Sequence, residues 1–258
     1  MYETLRIEQR GEIAILYFNR PDKLNAINGT VYQEFGDYLR STEDSETTSV
    51  LILTGEGRAF VAGADIDDYL TMTLAEFSAF QRLGRSVMAK MEQLSRPIIA
   101  AVNGYALGGG FEIALACDVI VASENAKFGL PEAKLALLPG GGGTQRLSRL
   151  VGPYLAKRMI FSGESIDAVR AYQLNIVSEV TEKGEALNAA VALAEKILAN
   201  GPLAVRMAKR VIDEGLEASL PTALSLEMDS TAHLFVSDDK REGIQAFVEK
   251  RPPRFSGR

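Results

Sequence analysis

The sequence has very few of the side chains that bind soft metals or form disulfides: one cysteine, Cys117, and one histidine, His233, in 258 residues. A single cysteine excludes an internal disulfide, which agrees with a reducing compartment. Because a structural zinc site normally draws four Cys or His ligands, such a site is excluded as well. A serine-protease-like triad would depend on His233, which lies in a helical pattern with no nucleophile motif beside it. The sequence therefore predicts neither a metal nor a redox cofactor.

Long apolar runs and an excess of positive charge are also absent. No apolar run reaches the length that spans a membrane. The first residues contain neither a signal-peptide hydrophobic region nor a transit-peptide pattern. The formal net charge is −6, which disfavours a general nucleic-acid binder. These observations predict a soluble cytoplasmic protein with no membrane and no nucleic-acid partner.

Hydrophobic residues make up 47% of the chain, which is enough for a sizeable core. Short β-branched runs alternate with helical patterns up to about Val180, and helices follow. This order predicts an α/β protein with a parallel sheet and a helical cover or assembly surface. We accordingly divide the chain into a core over residues 1–195 and a C-terminal helical region over residues 196–258.

Local patterns predict individual elements. Thr73 and Glu76 form a capping box at the start of a long helix that runs towards residue 95. The segment "EGRAFVAGAD" (56–65) is predicted to be a loop. Ser165 is predicted to cap the helix in "IDAVRAYQL".

A carboxylate stands where charge is costly. Glu112 lies in the apolar run "NGYALGGGFEIALACDVIVA", where only Phe111 separates it from three consecutive glycines. A capping role or an arginine partner would explain it structurally, because a helix N-terminus stabilises a negative charge. Three glycines at a helix start are conformationally costly, but they let the backbone approach a ligand closely. Since the first helical amides have no internal partner, the Gly109 amide could point at an oxygen that acquires negative charge.

Two further segments show comparable features. Glu132 follows Pro131, whose ring limits the local backbone, although Pro-Glu also opens many helices for structural reasons alone. In "FVAGADIDDY", Ala64 follows Gly63 in a second tight loop, which an ordinary turn would also explain. The amides of Ala64 and Gly109 could together bind one developing oxyanion.

The chain resembles the enoyl-CoA hydratase/isomerase (crotonase) superfamily over essentially its whole length, in the segments "NRPDKLNAIN", "GEGRAFVAGADI", "RPIIAAVNGYALGGGFEIALACDVIVAS", "AKFGLPEAKLALLPGGGGTQRL" and "DDKREGIQAFVEKRPPRF". The resemblance implies a core of repeated ββα turns wound into a spiral, with a C-terminal α-helical region. It implies a homotrimer or homohexamer. The implied substrate is an acyl-CoA thioester, so coenzyme A is part of the substrate and no separate cofactor is needed.

The resemblance also assigns positions in the site. The two amides that bind the thioester carbonyl fall on Ala64 and Gly109, and the two glutamates of the hydratase branch fall on Glu112 and Glu132. The implied substrate pocket contains, besides Ala64 and Gly109, these residues: Lys23, Leu24, Ala26, Ala62, Asp65, Ile66, Gly108 and Pro131.

One position departs from the family pattern. Many hydratases carry a lysine where this chain has Asp67. Contacts with the phosphates of coenzyme A would then depend on Lys23, on Arg58, or on C-terminal lysines of a neighbouring subunit. The walls that select the acyl group are predicted in residues 67–82 and 135–139.

Because both glutamates are present, the sequence favours an enoyl-CoA hydratase, which adds water reversibly to a 2-enoyl-CoA thioester and forms a 3-hydroxyacyl-CoA. We predict that Glu132 exchanges a proton with the α-carbon and that Glu112 orients and activates the water. Two carboxyl groups in an apolar pocket should raise at least one pKa. A double-bond isomerase or a bifunctional hydratase-isomerase is the alternative, since moving a proton between two carbons needs only one carboxylate.

An alternative of another class is a non-enzymatic nucleotide- or RNA-binding protein on the same fold. The two glycine clusters could suggest a phosphate cradle. They lack the spacing and the strand-turn-helix context of the known phosphate-binding motifs, however. The acidic balance also disfavours this alternative.

Overall fold

The protein is described by a computed structural model that covers residues 2–43 and 45–258. The strands, in chain order, are β1 (Leu5–Arg10), β2 (Ile13–Phe18), β3 (Val50–Gly55), β4 (Ala59–Val61), β5 (Ile98–Val102), β6 (Tyr105–Leu107), β7 (Val119–Ser123), β8 (Lys127–Gly129), β9 (Ser165–Asp167) and β10 (Glu179–Thr181).

The helices, in the same order, are α1 (Gly29–Glu43), α2 (Ile66–Tyr69), α3 (Leu74–Gln93), α4 (Gly109–Leu115), α5 (Gly143–Val151), α6 (Pro153–Ser162), α7 (Ala168–Gln173), α8 (Ala186–Leu198), α9 (Pro202–Leu216), α10 (Leu220–Phe235) and α11 (Asp238–Glu249). Short 3-10 turns lie at Pro21–Lys23 and Glu132–Leu135.

The strands form two sheets. The larger sheet has the order β1-β2-β3-β5-β7-β10, and the smaller sheet has the order β4-β6-β8-β9. In the larger sheet only the β1–β2 pair is antiparallel, and in the smaller one only the β8–β9 pair is. Three successive turns of the chain each give one strand to each sheet and then a helix, namely β3-β4-α3, β5-β6-α4 and β7-β8-α5. This repeat confirms the predicted ββα spiral.

Glycines and asparagines build the corners where the chain leaves one sheet for the other. A Cβ on Gly55 would lie 2.0 Å from the Ala59 carbonyl oxygen, so no larger residue fits at that corner. The Asn103 side-chain amide donates to the Gly55 oxygen at 2.9 Å and accepts from the Gly55 N–H at 3.3 Å. Asn125 in turn donates to the Asn103 carbonyl oxygen at 3.2 Å. Neighbouring turns of the spiral are therefore tied together at their corners.

The central strands of the larger sheet are buried on both faces, which explains why they are continuous apolar runs. In β2, Ile13, Ile15 and Tyr17 belong to a cluster with Ala190 and Ala194 of α8. The alternate residues of β2 belong to the main core, which also contains the inner faces of α1 and α3. The predicted boundary at residue 195 falls within α8, and the division into two regions stays a prediction.

Two local predictions were wrong, and one was confirmed. The segment 56–65 is not all loop, because β4 lies within it. Ser165 does not cap α7: it begins β9, and the Asp167 side chain accepts a hydrogen bond from the Arg170 amide instead. The capping box of Thr73 and Glu76 is present at the start of α3, with both reciprocal hydrogen bonds.

The last three helices, α9 to α11, leave large apolar side chains uncovered. Their exposed fractions reach 80% for Leu216, 64% for Phe235 and 85% for Phe247. No helix among the described residues is both long and apolar enough to cross a lipid bilayer.

Candidate active site

The smaller sheet positions the candidate site. Its strands β4, β6 and β8 are parallel, with Val61 beside Ala106 and Leu107 beside Gly129. Because the carboxyl ends of parallel strands meet at one edge of a sheet, the loops that follow these strands lie together. The segments that follow these three strands carry Ala64, the start of α4 with Glu112, and Glu132. They border a cavity of about 500 Å³ that α2 and α3 also reach.

The cavity brings together most, but not all, of the residues predicted for the site. Those that line it are Ala62, Ala64, Ile66, Gly108, Gly109, Glu112, Pro131 and Glu132. Four predicted substrate-binding residues are not among its lining residues: Lys23, Leu24, Ala26 and Asp65.

Two main-chain amides at this edge have no acceptor. Within residues 2–43 and 45–258, neither the Ala64 N–H nor the Gly109 N–H donates a hydrogen bond, whereas the adjacent Asp65 and Gly108 amides do. The Ile27 amide donates to the Gly63 oxygen and the Asp65 amide donates to the Ile27 oxygen, each at 2.8 Å, so Ala64 is skipped. The Gly109 amide is at the first position of α4, where no intrahelical acceptor exists. Both amides are therefore available to a ligand in the cavity.

The glycine triplet before Glu112 is required by two contacts. Gly108 has φ +51° and ψ −125°, a conformation open to glycine alone, and a Cβ there would lie 2.9 Å from Glu132 Oε1. A Cβ on Gly110 would lie 2.0 Å from the Val61 carbonyl oxygen. The start of α4 thus lies against β4, which brings the Gly109 amide close to the loop of Ala64.

Glu112 is 3% exposed and is held by a second glycine run. Its Oε1 accepts hydrogen bonds from the Gly141 amide at 2.8 Å and the Gly143 amide at 2.7 Å. Its Oε2 accepts none from any residue that the structure describes. Burial raises the pKa of Glu112, while the two amides and the charge of Arg146 act in the opposite direction. One carboxylate oxygen is therefore fixed and the other is free for a ligand.

Arg146 supports this arrangement from outside the cavity. Its guanidinium donates to the Gly141 carbonyl oxygen at 2.8 Å and to Glu92 Oε1 at 2.9 and 2.6 Å. The glycine run that binds Glu112 is thus anchored to α3 through an ion pair.

Glu132 lies opposite the glycine triplet and has few partners. Its Oε2 is buried and has no hydrogen-bond partner among the described residues. Burial is the main cause that raises the pKa of Glu132 from 4.5 to about 7; the charge of Glu112 adds to the rise, and a hydrogen bond from its own amide opposes it. Near neutral pH this side chain can both release and accept a proton.

The raised pKa predicts a pH-dependent effect on stability. The folded protein holds the Glu132 proton up to about pH 7, whereas the unfolded chain releases it near 4.5. The folded state therefore loses stability through this group as the pH rises across that window. Glu132→Gln removes the free-energy cost of ionising this buried carboxyl group. The variant should therefore be more stable than the unmodified protein, and this difference in unfolding free energy should be about 1–2 kcal/mol larger at pH 8 than at pH 5, allowing for solvent screening. Urea unfolding of both proteins at equal chain concentration measures this difference.

Glu124→Gln, which replaces an exposed glutamate, is the control and should show no such dependence on pH. An equal gain for Glu132→Gln at the two pH values would contradict the raised pKa.

The charged residues near the cavity mouth are already paired. Lys23 Nζ lies 2.9 Å from Asp67 Oδ2, and both side chains are exposed. Asp65 is buried and accepts a hydrogen bond from Arg20 at 2.9 Å. This contact holds the loop that contains Ala64, and it leaves the Asp65 carboxylate paired within the protein. Asp67, the residue that departs from the family pattern, therefore neutralises the lysine predicted to contact phosphate.

The predicted acyl walls do line the cavity, and further residues that the sequence had not indicated lie beside them. From 67–82 the lining residues are Tyr69, Phe77, Phe80 and Gln81, and from 135–139 they are Leu135, Ala136, Leu137 and Leu138. The residues missed by the sequence reasoning include Ile27 and Tyr32 in the wall and the Gly141 and Gly143 amides at Glu112. The four-glycine run was the available signal for the two amides, whereas nothing in the local pattern marked Tyr32.

Comparison with known proteins agrees with this site. The family model for enoyl-CoA hydratase/isomerase matches residues 8–258. The chain belongs to the enoyl-CoA hydratase/isomerase family.

Individual relatives are similar over nearly the whole chain. A short-chain-enoyl-CoA hydratase from Clostridium acetobutylicum is 43% identical, over 95% of this chain and 94% of its own. A 2,3-dehydroadipyl-CoA hydratase from Escherichia coli is 41% identical, over 98% of this chain and 99% of its own. The crystal structure of an enoyl-CoA hydratase from Bacillus anthracis superimposes with a TM-score of 0.97 at 38% identity, over 99% of this chain and 100% of that one.

Proposed function

We propose that the protein is an enoyl-CoA hydratase, which adds water reversibly across the 2-enoyl double bond of an acyl-CoA thioester. The observation that carries the proposal is the shared cavity of Glu112, Glu132 and the two unpaired amides of Ala64 and Gly109. The hydratase names of the relatives support the same chemistry.

The amides have the role of stabilising charge. Addition of water to the β-carbon creates an enolate whose negative charge is on the thioester oxygen. Amides held at the end of β4 and at the start of α4 would bind that oxygen without reorganising. Loss of one such donor typically costs about 3–4 kcal/mol of transition-state stabilisation.

The two glutamates divide the proton transfers. Water is a poor nucleophile until a base takes its proton, and the free Oε2 of Glu112 is the acceptor we assign. As the new C–O bond forms at the β-carbon, the protonated Glu132 gives its proton to the α-carbon and becomes a carboxylate. Dehydration follows the same steps in reverse. Because the pKa of Glu132 is about 7, its carboxyl group can donate the proton in one direction and accept it in the other.

The rest of the substrate would occupy the loop side of the cavity. We assign the pantetheine and adenine to the segment of Ala62 and Ile66 together with Lys23, Leu24 and Ala26. Coenzyme A is part of the substrate, and no separate cofactor or metal is proposed.

Double-bond migration is the competing chemistry, because Glu132 alone is equipped to move a proton between two carbons. The deciding experiment assays hydration of crotonyl-CoA by loss of conjugated-alkene absorbance, and migration of a 3-enoyl-CoA separately. We expect hydration to be the faster reaction by a wide margin. Migration without hydration would contradict the hydratase proposal and establish an isomerase.

We further propose a homotrimer or homohexamer in which α9, α10 and α11 cover the exposed apolar side chains between copies. Large exposed apolar side chains recur along all three helices, and extended exposed apolar surface is typical of an interface. Light scattering should give three or six chain masses, and one chain mass would contradict the assembly.

A cytoplasmic location stays a prediction of the sequence.

A further inference from the structure

Three hydrogen-bonding side chains that line the cavity have no hydrogen-bond partner among the described residues. Tyr32, Tyr69 and Gln81 all line the cavity that holds the two glutamates. None of their side-chain polar atoms makes a hydrogen bond to any residue that the structure describes. Elsewhere a comparable group is satisfied, as when Tyr17 donates to Glu8 at 2.8 Å. Tyr32 is buried, whereas Tyr69 and Gln81 are half-buried. The polar atoms of all three are therefore available to a ligand in the cavity.

The position of the Tyr32 hydroxyl is fixed by the fold. The residue is 5% exposed on α1, and its hydroxyl would lie 3.9 Å from a Cβ on Gly109 and 3.2 Å from one on Gly84. A Cβ on Gly84 would also approach the Tyr32 ring to 2.9 Å, so glycine at that position of α3 makes room for the ring. The hydroxyl is therefore held beside the amide that we assign to the thioester.

The other two groups are held on the same side of the cavity. The Phe80 ring contacts both tyrosines, with centroids 5.2 Å from Tyr32 and 5.8 Å from Tyr69. Burial is the main cause that raises the pKa of Tyr69 to about 12, and the charges of Glu112 and Glu132 add to the rise. The Gln81 amide is packed against the backbone of residue 140, where a Cβ would lie 2.1 Å from its Nε2. Packed rings and a packed amide pre-organise these donors, which reduces the entropy lost on binding.

The charges around these groups select against an anionic ligand. Among the described residues that line the cavity, none is lysine or arginine, and two are glutamates. A carboxylate on the acyl group would be buried without a cation and next to two acids, which is costly. A hydroxyl or a carbonyl oxygen would gain hydrogen bonds without that cost.

We propose that the preferred substrates are 2-enoyl thioesters whose acyl chain carries an uncharged hydroxyl or carbonyl group beyond the double bond, bound by Tyr32, Tyr69 and Gln81. This inference rests on the proposed hydratase function. It names the substrate class of that same cavity. A plain alkyl chain would strip water from three polar groups and replace none of their hydrogen bonds.

The test measures kcat/KM for hydration of four six-carbon 2-enoyl-CoA thioesters. One is unsubstituted, one has a hydroxyl at the penultimate carbon, one has an oxo group there, and one ends in a carboxylate. We expect the hydroxyl or the oxo compound to exceed the unsubstituted compound about tenfold. The carboxylate compound should be the poorest of the four. A higher value for the unsubstituted or the carboxylate compound would overturn the inference.

Variants then assign the preference to named groups. Tyr32→Phe and Tyr69→Phe keep the rings and remove the hydroxyls, and each should lower the ratio of polar to unsubstituted kcat/KM about fivefold. Tyr154→Phe, at a side chain 91% exposed on α6, is the control and should keep the ratio. An equal loss with all four thioesters would overturn acyl recognition and assign the tyrosines to the common chemistry. If the protein hydrates crotonyl-CoA but does not prefer the hydroxyl or oxo thioester, only the inference on acyl recognition is wrong. If it hydrates none of the thioesters, the proposed hydratase function is wrong as well.

Discussion

Replacing Glu132 with glutamine is expected to lower kcat for crotonyl-CoA hydration about 100- to 10,000-fold. Glutamine keeps the size of the side chain and removes the proton that we assign to the α-carbon. The variant should remain folded, because the buried Oε2 of Glu132 has no hydrogen-bond partner among the described residues. Its expected gain in stability at pH 8 makes the loss of activity distinguishable from unfolding. Steady-state kinetics and urea unfolding on the same preparation measure both effects.

Glu112→Gln gives the complementary result. It should lower kcat for crotonyl-CoA hydration to a similar degree, since a glutamine amide cannot take a proton from water. Migration of a 3-enoyl-CoA should survive it to a larger extent, because that reaction needs one carboxyl group only. The matched control is again Glu124→Gln, at an exposed position between β7 and β8. If Glu112→Gln hydrates crotonyl-CoA at the unmodified rate, the proposed role of Glu112 is wrong.

Gly110→Ala is expected to have the largest structural effect. The added Cβ would lie 2.0 Å from the Val61 carbonyl oxygen and 2.7 Å from the carbonyl carbon, both of which are backbone atoms. No side-chain rotation relieves such a contact, so α4 must move away from β4. We expect the free energy of unfolding to fall by about 3 kcal/mol. The shift would also displace the Gly109 amide, so kcat should fall about 100- to 1000-fold in the fraction that folds.

Gly29→Ala is the matched control for this variant. A Cβ on Gly29, at the start of α1, meets no atom within 4 Å. Its free energy of unfolding should change by no more than about 0.5 kcal/mol. Thermal unfolding and hydration kinetics of the two variants give the comparison. Full activity and stability of Gly110→Ala would mean that the close approach of α4 to β4 does not fix the amide.

Much of the candidate site could be predicted from residues that break a local rule. Glu112 stands in an apolar helix, and the glycines before it lie where glycine is unfavourable. Such conflicts are expected where function overrides stability, and they led to Glu112 and the Gly109 amide. The wider substrate pocket came from the family resemblance. Its predictions for Lys23 and Asp65 fall on side chains that are paired within the protein.

The smaller sheet could not be predicted in the same way. Its strands β4, β6, β8 and β9 have three residues each, which is too short for an alternating pattern to be recognised. The larger sheet has continuous apolar strands of five or six residues at its centre, and the sequence showed them. The elements that place Ala64, Gly109 and Glu132 side by side are therefore the ones with the weakest sequence signal.

Contacts between segments that are distant along the chain could not be predicted from the sequence either. Gly141 and Gly143 bind Glu112 across about thirty positions of the chain. Tyr32 reaches the cavity because Gly84, on another helix, leaves space for its ring. The sequence around a glycine run or a single tyrosine does not indicate which distant residue it contacts in the folded protein.

The most direct test of the account is a crystal structure of the Glu132→Gln variant with crotonyl-CoA bound, since the variant should leave the substrate unreacted. We expect the thioester oxygen to lie within hydrogen-bonding distance of both the Ala64 and Gly109 amides. We also expect a water molecule on Glu112 Oε2 that faces the β-carbon. A thioester oxygen bound away from those two amides would contradict the role assigned to them.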